Sequence, residues 1–291
     1  MIYQIILNGF LLGGLYAIVA MGFSIVWGVM NLINLAHGAF IMLGAYITFW
    51  LFDLWGIDPF LSIPISMVIL FCVGYFIQRN IINLVIRAQV FMILILTFGL
   101  EILIMNLTTV AWTGNYRSVT TPYSGANIEI ASIVIPSVRL AIFLIALILT
   151  VGLYFFLSKT RTGNAIKATS LDKEAAQLVG VNIGKMYAIT FAIGGALAGA
   201  AGSLLAILSA ISPYMGGPYT LKAFVICVLG GLGSIIGLII GGIILGMAES
   251  IGTVLLGPGY ADAISFVILV IILAIRPEGI LGKKFFAEVK H

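Results

Sequence analysis

The chain has 291 residues, of which 62% are apolar and only 8% are charged, whereas about a quarter of the residues in a soluble domain carry a charge. This composition excludes a soluble globular enzyme, a nucleic-acid-binding protein and a secreted disulfide-bonded scaffold. The net charge of +4 suits loops that face the anionic inner surface of a membrane. The composition therefore predicts an all-α, polytopic transmembrane bundle that forms a single domain over residues 1–291.

Apolar runs that could span a membrane recur along the whole chain. They cover residues 4–28, 33–54, 59–79, 90–111, 137–157, 186–210, 219–231, 234–255 and 261–275. The run 219–231 is short, because thirteen helical residues cover only about 20 Å of a hydrocarbon core of about 30 Å. The sequence predicts nine spans if this glycine-bounded run completes a crossing, and eight if it does not.

Lysine and arginine resist translocation, so their positions predict the orientation of the chain. Eleven of the 14 basic residues fall in three groups: Arg79 with Arg87, the loop 158–185, and the tail after residue 275. The other three are Arg117, Arg139 and Lys222, which are predicted to lie on the extracytoplasmic side. Placing the larger set in the cytoplasm predicts an extracytoplasmic N-terminus and a cytoplasmic C-terminus, which requires an odd number of crossings.

Small residues recur at four-residue spacing in several of the apolar runs. The pairs are Gly9 with Gly13, Gly195 with Gly199, Ala198 with Gly202, Gly237 with Gly241, and Gly242 with Gly246. In lipid no hydrophobic force draws helices together, so close backbone approach through small residues supplies the association. We interpret these pairs as helix-packing contacts within the subunit, and a bundle that slides to gate a pathway is the alternative.

The loop 158–185 contains an amphipathic pattern. Apolar residues recur at intervals of three and four at Ala168, Leu171, Ala175, Leu178 and Val179. The pattern predicts a short helix from Leu171 to Gly180, with Ser170 as its N-cap and Gly180 as its left-handed stop. Because so short a helix is unstable alone in water, its apolar face must pack on the chain's own rim, in the membrane interface or in a groove on a partner.

The same segment carries a resemblance to a known family. Glu174-Ala175-Ala176, followed after three residues by Gly180, resembles the EAA-x3-G signature of bacterial ATP-binding-cassette importer permeases, whose loop docks on the nucleotide-binding subunit. The runs NGFLLGGLYAIVAMGFSIVWGVMNLINLAHGAFIMLGAY, VLGGLGSIIGLIIGGIILGMAES and RPEGILG, with the block 161–202, are similar to the H-type permease of the high-affinity leucine, isoleucine and valine importer. The Asn34–Gly38 run followed by Gly44-Ala45-Tyr46 is specific to that group and its urea and short-amide relatives.

The resemblance implies a permease subunit that translocates branched-chain amino acids across the cytoplasmic (inner) membrane. It implies as partners two cytoplasmic ATPase subunits, a homologous M-type permease and a solute-binding protein. The sequence agrees on energy, because no G-x-x-x-x-G-K-[ST] phosphate loop occurs, so ATP is expected to bind to partner subunits and no cofactor to this chain. The predicted ATPase-coupling residues are Leu171, Glu174, Ala175, Ala176, Leu178 and Gly180.

Polar side chains inside the apolar runs are candidates for the transport pathway, since a charge in lipid is costly unless it faces the bundle or a wet cavity. Glu101 lies in mid-span, and Asn31, Asn34 and His37 lie where the first two spans meet. These four are the predicted pathway residues, with structural hydrogen bonding as the alternative. Glu249 is predicted as an anchor at the membrane interface. With His37 and His291 as the two histidines, no metal site or catalytic set is predicted.

The outer loop 112–136 is predicted to contact the solute-binding protein, and a solvated connector is the alternative.

Three other functions of the whole chain remain compatible with the sequence. A urea or short-amide permease shares the same sequence blocks. An ion-coupled secondary transporter could use Glu101 and Glu249 as a relay. A membrane scaffold would bind partners without transport.

Overall fold

A computed structural model describes residues 2–86, 89–123, 125–130, 133–231, 233–275 and 279. Several basic residues that support the orientation prediction lie outside the described residues. These are Arg87, Arg276, Lys283, Lys284 and Lys290. His291 and most of the RPEGILG run also lie outside them.

The described chain is mostly helical, which confirms the predicted class. The helices are α1 (Ile2–Met30), α2 (His37–Trp55), α3 (Pro59–Ile77), α4 (Asn83–Val85), α5 (Val90–Trp112), α6 (Ser137–Lys159), α7 (Arg161–Leu171), α8 (Lys173–Leu178), α9 (Ile183–Leu208), α10 (Gly216–Gly230), α11 (Ile235–Leu256) and α12 (Ala261–Ile275). A π-helical turn (Gln78–Ile82) joins α3 to α4, and 3-10 turns precede α10 (Pro213–Met215) and α12 (Pro258–Tyr260).

Seven helical segments in the described ranges are long and apolar enough to cross a membrane: α1, α2, α3 with α4, α5, α6, α9 and α11. Helices α10 and α12 have 15 residues each, and a helix of that length rises about 22 Å, short of the hydrocarbon core of about 30 Å. The prediction of eight or nine full spans is therefore not confirmed, because the runs 219–231 and 261–275 both form short helices.

Local sequence explains the turn between α2 and α3. Gly56 ends α2 with a φ of 63°, a left-handed conformation that glycine adopts without a Cβ clash. The Asp58 carboxylate then accepts a hydrogen bond from the Phe60 N–H at 2.9 Å, and Pro59 occupies the first helical position. An N-cap aspartate and an N1 proline are both preferred at a helix start, so only three residues separate the helices.

The chain divides into two compact units. Unit 1 comprises residues 1–21, 121–150 and 221–291, and unit 2 comprises residues 22–120 and 151–220. Each unit includes helices that pack through glycine.

In unit 2, α9 packs against α2 and α3. A Cβ added at Gly199 would lie 3.0 Å from the Ser66 carbonyl oxygen of α3, and a Cβ at Gly44 of α2 would lie 2.5 Å from the Gly199 carbonyl oxygen. A Cβ at Gly202 would likewise overlap the backbone of Ile41. The predicted small-residue packing face around 195–202 is therefore confirmed.

In unit 1, α1 and α11 make a second glycine contact. A Cβ at Gly13 would lie 2.5 Å from the Ile243 Cα, and a Cβ at Gly246 would lie 2.5 Å from the Gly9 carbonyl oxygen. Gly242 also faces the Gly13 backbone. The predicted pairs Gly9 with Gly13 and Gly242 with Gly246 thus belong to one helix–helix contact, since only backbones without side chains approach so closely.

The loop 112–136, predicted to lie on the outer side, contains a hairpin that sequence reasoning missed. Strand β1 (Asn127–Ile130) pairs antiparallel with β2 (Ile133–Pro136), and Glu129 lies opposite Val134. The Gln4 side chain of α1 donates to the Val134 carbonyl oxygen at 2.6 Å and accepts from the Val134 N–H at 3.1 Å. The signal was present in the sequence, because polar and β-branched residues alternate in β1 and β-branched residues fill most of β2, as is typical of strands.

Candidate transport pathway and coupling segment

A buried, non-helical connection joins α1 to α2 in unit 2. Helix α1 ends at Met30, and Asn31 follows with a φ of 52° while its N–H donates to the Trp27 carbonyl oxygen at 2.8 Å. Within the connection, Leu32 is 1% exposed and Ala36 is fully buried. Irregular backbone at membrane depth must find hydrogen-bond partners in protein or in a water-filled cavity. Side chains of neighbouring helices supply such partners here.

Two threonines hold this connection. The Thr97 hydroxyl of α5 accepts from the Leu35 N–H at 3.3 Å. The Thr220 hydroxyl of α10 accepts from the Gly38 N–H at 2.8 Å and lies 3.2 Å from the Leu35 carbonyl oxygen. A Cβ at Gly38 would overlap the Gly216 carbonyl oxygen, so α2 and α10 touch at this point. Thr97 and Thr220 thus form a clamp on residues 31–38.

The predicted pathway residues of this region separate into two environments. Asn34 is buried, its carbonyl oxygen accepts from the His37 N–H at 3.2 Å, and its side-chain oxygen has no hydrogen-bond partner in the part of the chain that the structure describes. His37 is 1% exposed and lies edge-on to Phe23, with ring centroids 5.6 Å apart. Asn31 is exposed. The structure therefore places Asn34 and His37 inside the bundle and Asn31 at its surface.

Glu101 is the central residue of α5 and is half-buried. It lies one helical turn beyond Thr97 and so on the same face of α5. A Cβ at Gly217 of α10 would lie 3.7 Å from a Glu101 carboxylate oxygen, and Gly217 precedes Thr220 by less than one turn. Among the described residues no hydrogen bond or ion pair involves the Glu101 carboxylate. The structure thus brings Glu101 near the Thr97–Thr220 clamp, and its carboxylate can interact with a ligand or with water.

The predicted coupling helix is in fact two helices. Ser170 lies within α7, where its hydroxyl donates to the Lys167 carbonyl oxygen at 2.8 Å, so its prediction as an N-cap is wrong. The cap of α8 is Asp172, whose carboxylate accepts from the N–H groups of Glu174 and Ala175 at 2.9 Å. Aspartate is as strong an N-cap as serine, and it starts a new helix two residues later than predicted.

Most of the predicted apolar face of the coupling segment points outward. Leu171 is 87% exposed, Leu178 89% and Val179 79%. Gly180 has a φ of 87°, which confirms the predicted left-handed stop. Ala176 differs, because it is buried and so lies on the protein-facing side of α8.

Two cavities of about 810 and 300 Å³ lie between α8 and the end of α1. Asn31, Lys173, Glu174 and Tyr187 line both of them. A predicted pathway residue, Asn31, and a predicted coupling residue, Glu174, therefore share the same cavities. Sequence reasoning placed these two residues in separate regions.

Unit 1 holds a buried charged cluster that sequence reasoning missed. We call it the Lys222 cluster, and its members are Tyr16 of α1, Lys222 of α10, Glu249 of α11, and Asp262 and Ser265 of α12. The Lys222 ammonium lies 3.1 Å from Glu249, 3.3 Å from Asp262 and 3.1 Å from the Tyr16 hydroxyl. The hydroxyls of Tyr16 and Ser265 donate to the Glu249 carboxylate at 2.5 and 2.6 Å.

This cluster corrects two predictions. The side chains of Lys222 and Glu249 are only 8% and 3% exposed, so Lys222 is not an outer-loop charge and Glu249 is not an interfacial anchor. Burial is tolerated because each charge has an opposite charge and further hydrogen bonds. The signal lay in the sequence as a lysine and a glutamate in two neighbouring apolar runs.

The start of the outer loop is anchored in unit 2. Arg117 pairs with Ile211 through two backbone hydrogen bonds of 3.0 and 2.8 Å. Its guanidinium lies 5.2 Å from the ring centre of Phe49 and 4.9 Å from that of Trp50, within the range of cation–π attraction. The loop is therefore tied to α2 at this point, while neighbouring Tyr116 is 79% exposed.

Comparisons with known proteins agree with the membrane architecture. The family described as "Branched-chain amino acid transport system / permease component" matches residues 5–273. The high-affinity branched-chain amino acid permease protein BraD of Pseudomonas aeruginosa is 33% identical, over 96% of this chain and 95% of its own length. The corresponding permease protein LivH of Escherichia coli K12 is 35% identical over the same shares.

A more distant relative extends the comparison. A probable branched-chain amino acid permease protein of Methanocaldococcus jannaschii is 29% identical over 96% of this chain and 92% of its own length. No solved structure matches the chain. A match over nearly all of its helices shows that the chain belongs to the family of branched-chain amino acid transport permease components.

Proposed function

We propose that this chain is the membrane permease subunit of an ATP-binding-cassette importer that translocates leucine, isoleucine and valine across the cytoplasmic membrane. The family consists of transport components, not of enzymes. The relatives BraD and LivH carry the name of the high-affinity branched-chain amino acid system, which favours these substrates over urea or short amides. Since the sequence contains no phosphate loop, the energy comes from separate ATPase subunits.

The observation that carries the ATP-driven function is the exposed apolar surface at α7 and α8. Leu171, Leu178 and Val179 are each more than three-quarters exposed, next to charged residues that keep this segment out of lipid. Large apolar side chains exposed together mark an interaction site. We infer that an ATPase subunit covers them, with Glu174, Ala175 and Gly180 shaping the contact and Ala176 packing behind it.

The test of coupling is an added charge at the docking face. Ala175 is exposed, so Ala175→Glu changes the surface without disturbing the bundle, and it is expected to reduce co-purification of the ATPase and ATP-driven uptake. Gly180→Val should do the same, since a β-branched residue resists the left-handed conformation. Ala175→Ser, which adds neither charge nor bulk at the same exposed position, is the matched control. Normal co-purification and uptake in Ala175→Glu would refute the coupling role.

The same proposal assigns Asn31, Asn34, His37 and Glu101 to the substrate pathway. Support comes from the buried connection between α1 and α2, which is held by hydroxyl groups instead of a continuous helix. Discontinuous helices commonly line binding sites near the middle of the membrane in transporters. The half-buried Glu101 carboxylate at the centre of α5 adds a charge that lipid alone would not tolerate.

The remaining parts of the proposal concern assembly and orientation. The expected partners are two cytoplasmic ATPase subunits, a homologous M-type permease and a solute-binding protein that contacts the outer loop. The basic residues of the loop 158–185 favour a cytoplasmic position for α7 and α8, with the N-terminus outside and the C-terminus inside. A reporter fused after Lys284 should therefore be cytoplasmic, and one inserted at Ser124 extracytoplasmic. The reverse result would refute this orientation.

A further inference from the structure

The Lys222 cluster buries a cation against a helix that is long and apolar enough to span a membrane. The ammonium contacts Glu249, which belongs to the candidate span α11, and both side chains are buried. An isolated lysine in the hydrocarbon region is costly, and such residues are rare unless they serve a function. Lys222 has two carboxylates, a hydroxyl and the Tyr16 ring, 5.1 Å away, around it. These contacts fix the ammonium in one position.

The helix that carries Lys222 also carries half of the threonine clamp. Thr220 precedes Lys222 by two residues in α10, and its hydroxyl accepts the Gly38 N–H at 2.8 Å. Gly217, one turn before Leu221, lies next to the Glu101 carboxylate. At 15 residues, α10 is too short to be held by lipid at both ends. Its position must therefore depend on specific contacts along its length.

We propose that Lys222 is a positioning residue for transport: its ion pair with Glu249 and Asp262 fixes α10, and thereby holds Thr220 on the connection between α1 and α2. The proposal rests on the transport function proposed above, because the connection belongs to the suggested pathway. The cluster itself does not contact substrate. Asp262 is 57% exposed, so it binds Lys222 from the edge of the cluster, whereas Glu249 binds it from the buried side.

Two roles are possible for the carboxylates: they could only neutralise the charge of Lys222, or they could position α10. The two roles predict different behaviour for a variant that lacks all three charges. If Glu249 and Asp262 only neutralise Lys222, then removing all three charges together restores normal behaviour, since no unpaired charge remains. If the ion pair positions α10, the neutral triple variant still lacks the contact that holds the helix. The triple variant Lys222→Met/Glu249→Gln/Asp262→Asn therefore distinguishes the two roles. Because it leaves no unpaired buried charge, it also remains informative if a single variant fails to assemble.

The first measurement is hydrogen exchange of the 31–38 segment in the purified permease complex, which does not depend on transport. Lys222→Met and the triple variant should accelerate exchange of the Gly38 amide about fivefold to tenfold, as expected for one lost hydrogen bond. Thr220→Val removes the acceptor itself and should give the same increase. Lys159→Met, at an exposed lysine, should leave this exchange unchanged. Wild-type exchange in the triple variant would overturn the proposal.

The second measurement is ATP-driven leucine uptake by vesicles, normalised to the amount of assembled complex. The triple variant should lose uptake about tenfold, in line with a buried contact that remains broken, while Lys159→Met keeps it. Full uptake in the triple variant would overturn the positioning role and show that Glu249 and Asp262 only compensate the charge of Lys222. If the wild-type complex itself does not import leucine, the proposed function fails, and the exchange measurement still decides the role of Lys222.

Discussion

The two glutamates of the predicted spans have opposite surroundings. Glu249, in unit 1, is 3% exposed and interacts with Lys222, Tyr16 and Ser265. Glu101, in unit 2, is half-buried at the centre of α5, and the described residues offer it no hydrogen bond or ion pair. The glutamate of unit 1 is thus enclosed by partners, whereas the glutamate of unit 2 has a carboxylate that is left for a ligand or water to contact.

This difference shows how a carboxylate in a membrane protein can be assigned a role. A buried charge whose partners are complete is bound to the structure, so removing it leaves the partner cation unpaired. A charge without protein partners contributes little to folding, and its presence in a span points to a ligand or a wet pathway. The comparison predicts that one substitution, Glu→Gln, gives a large stability effect at one site and a functional effect at the other.

The largest expected stability effect is that of Glu249→Gln. The amide keeps the shape, but its NH2 group replaces one of the two carboxylate oxygens that accept from Tyr16 and Ser265. Lys222 loses its buried carboxylate partner and keeps Asp262 as the remaining carboxylate. We expect the free energy of unfolding to fall by about 3 kcal/mol, at the low end for breaking a buried ion pair because Asp262 remains. Denaturant unfolding of the detergent-solubilised permease measures this change. A loss similar to that of an ordinary surface substitution would contradict the assignment.

The contrast between the two carboxylates also shows what the sequence can predict. Helix positions and small-residue packing faces such as Gly9 with Gly13 and Gly242 with Gly246 follow from patterns that repeat every few residues, and the packing of these faces was confirmed. The partners of Glu249 are distant in the chain, with Lys222 27 residues away and Tyr16 206 residues from Lys222. The sequence shows a lysine and a glutamate in neighbouring apolar runs, but no local pattern specifies which distant side chains they contact, so the pairing could not be predicted. The break at Asp172 was missed for another reason, since Ser170 and Asp172 are equally good caps.

A second prediction sharpens the description of the Glu249 environment. Ser265→Ala removes a hydroxyl that donates to the Glu249 carboxylate at 2.6 Å, and hydrogen bonds to charged groups are stronger than neutral ones. We expect a loss of about 2 kcal/mol in the free energy of unfolding. The matched control is Ser250→Ala, whose hydroxyl donates to a neutral acceptor, the Ile5 carbonyl oxygen, at 2.9 Å. Equal losses at the two serines would argue against a charged Glu249.

A smaller effect is expected at the clamp in unit 2. Thr97→Val keeps the shape of the side chain but removes the acceptor for the Leu35 N–H, at a cost of about 1 kcal/mol in the free energy of unfolding. Thr109→Val on the same helix is the control, because the Thr109 hydroxyl donates only to Met105 within α5. The two variants should differ in exchange of the Leu35 amide. If both leave it protected, Thr97 does not hold the connection.

The smallest stability effect, and the one that decides the comparison, is that of Glu101→Gln. Because the described structure gives the carboxylate no partner, its neutralisation should change the free energy of unfolding by no more than about 0.5 kcal/mol, as at sites without specific contacts. Unfolding under the same denaturant conditions as for Glu249→Gln measures this directly. A loss of several kcal/mol would show that Glu101 is bound to the structure in the same way as Glu249.

Uptake by the same variant tests the other half of the argument. Leucine, isoleucine and valine carry an α-ammonium group that a carboxylate at the centre of α5 can attract, and an amide cannot replace that charge. Glu101→Gln is therefore expected to reduce ATP-driven uptake while the complex assembles with its ATPase at normal levels. Stable protein with normal uptake would remove Glu101 from the pathway. Stable protein with reduced uptake would establish that a carboxylate without a structural partner serves transport.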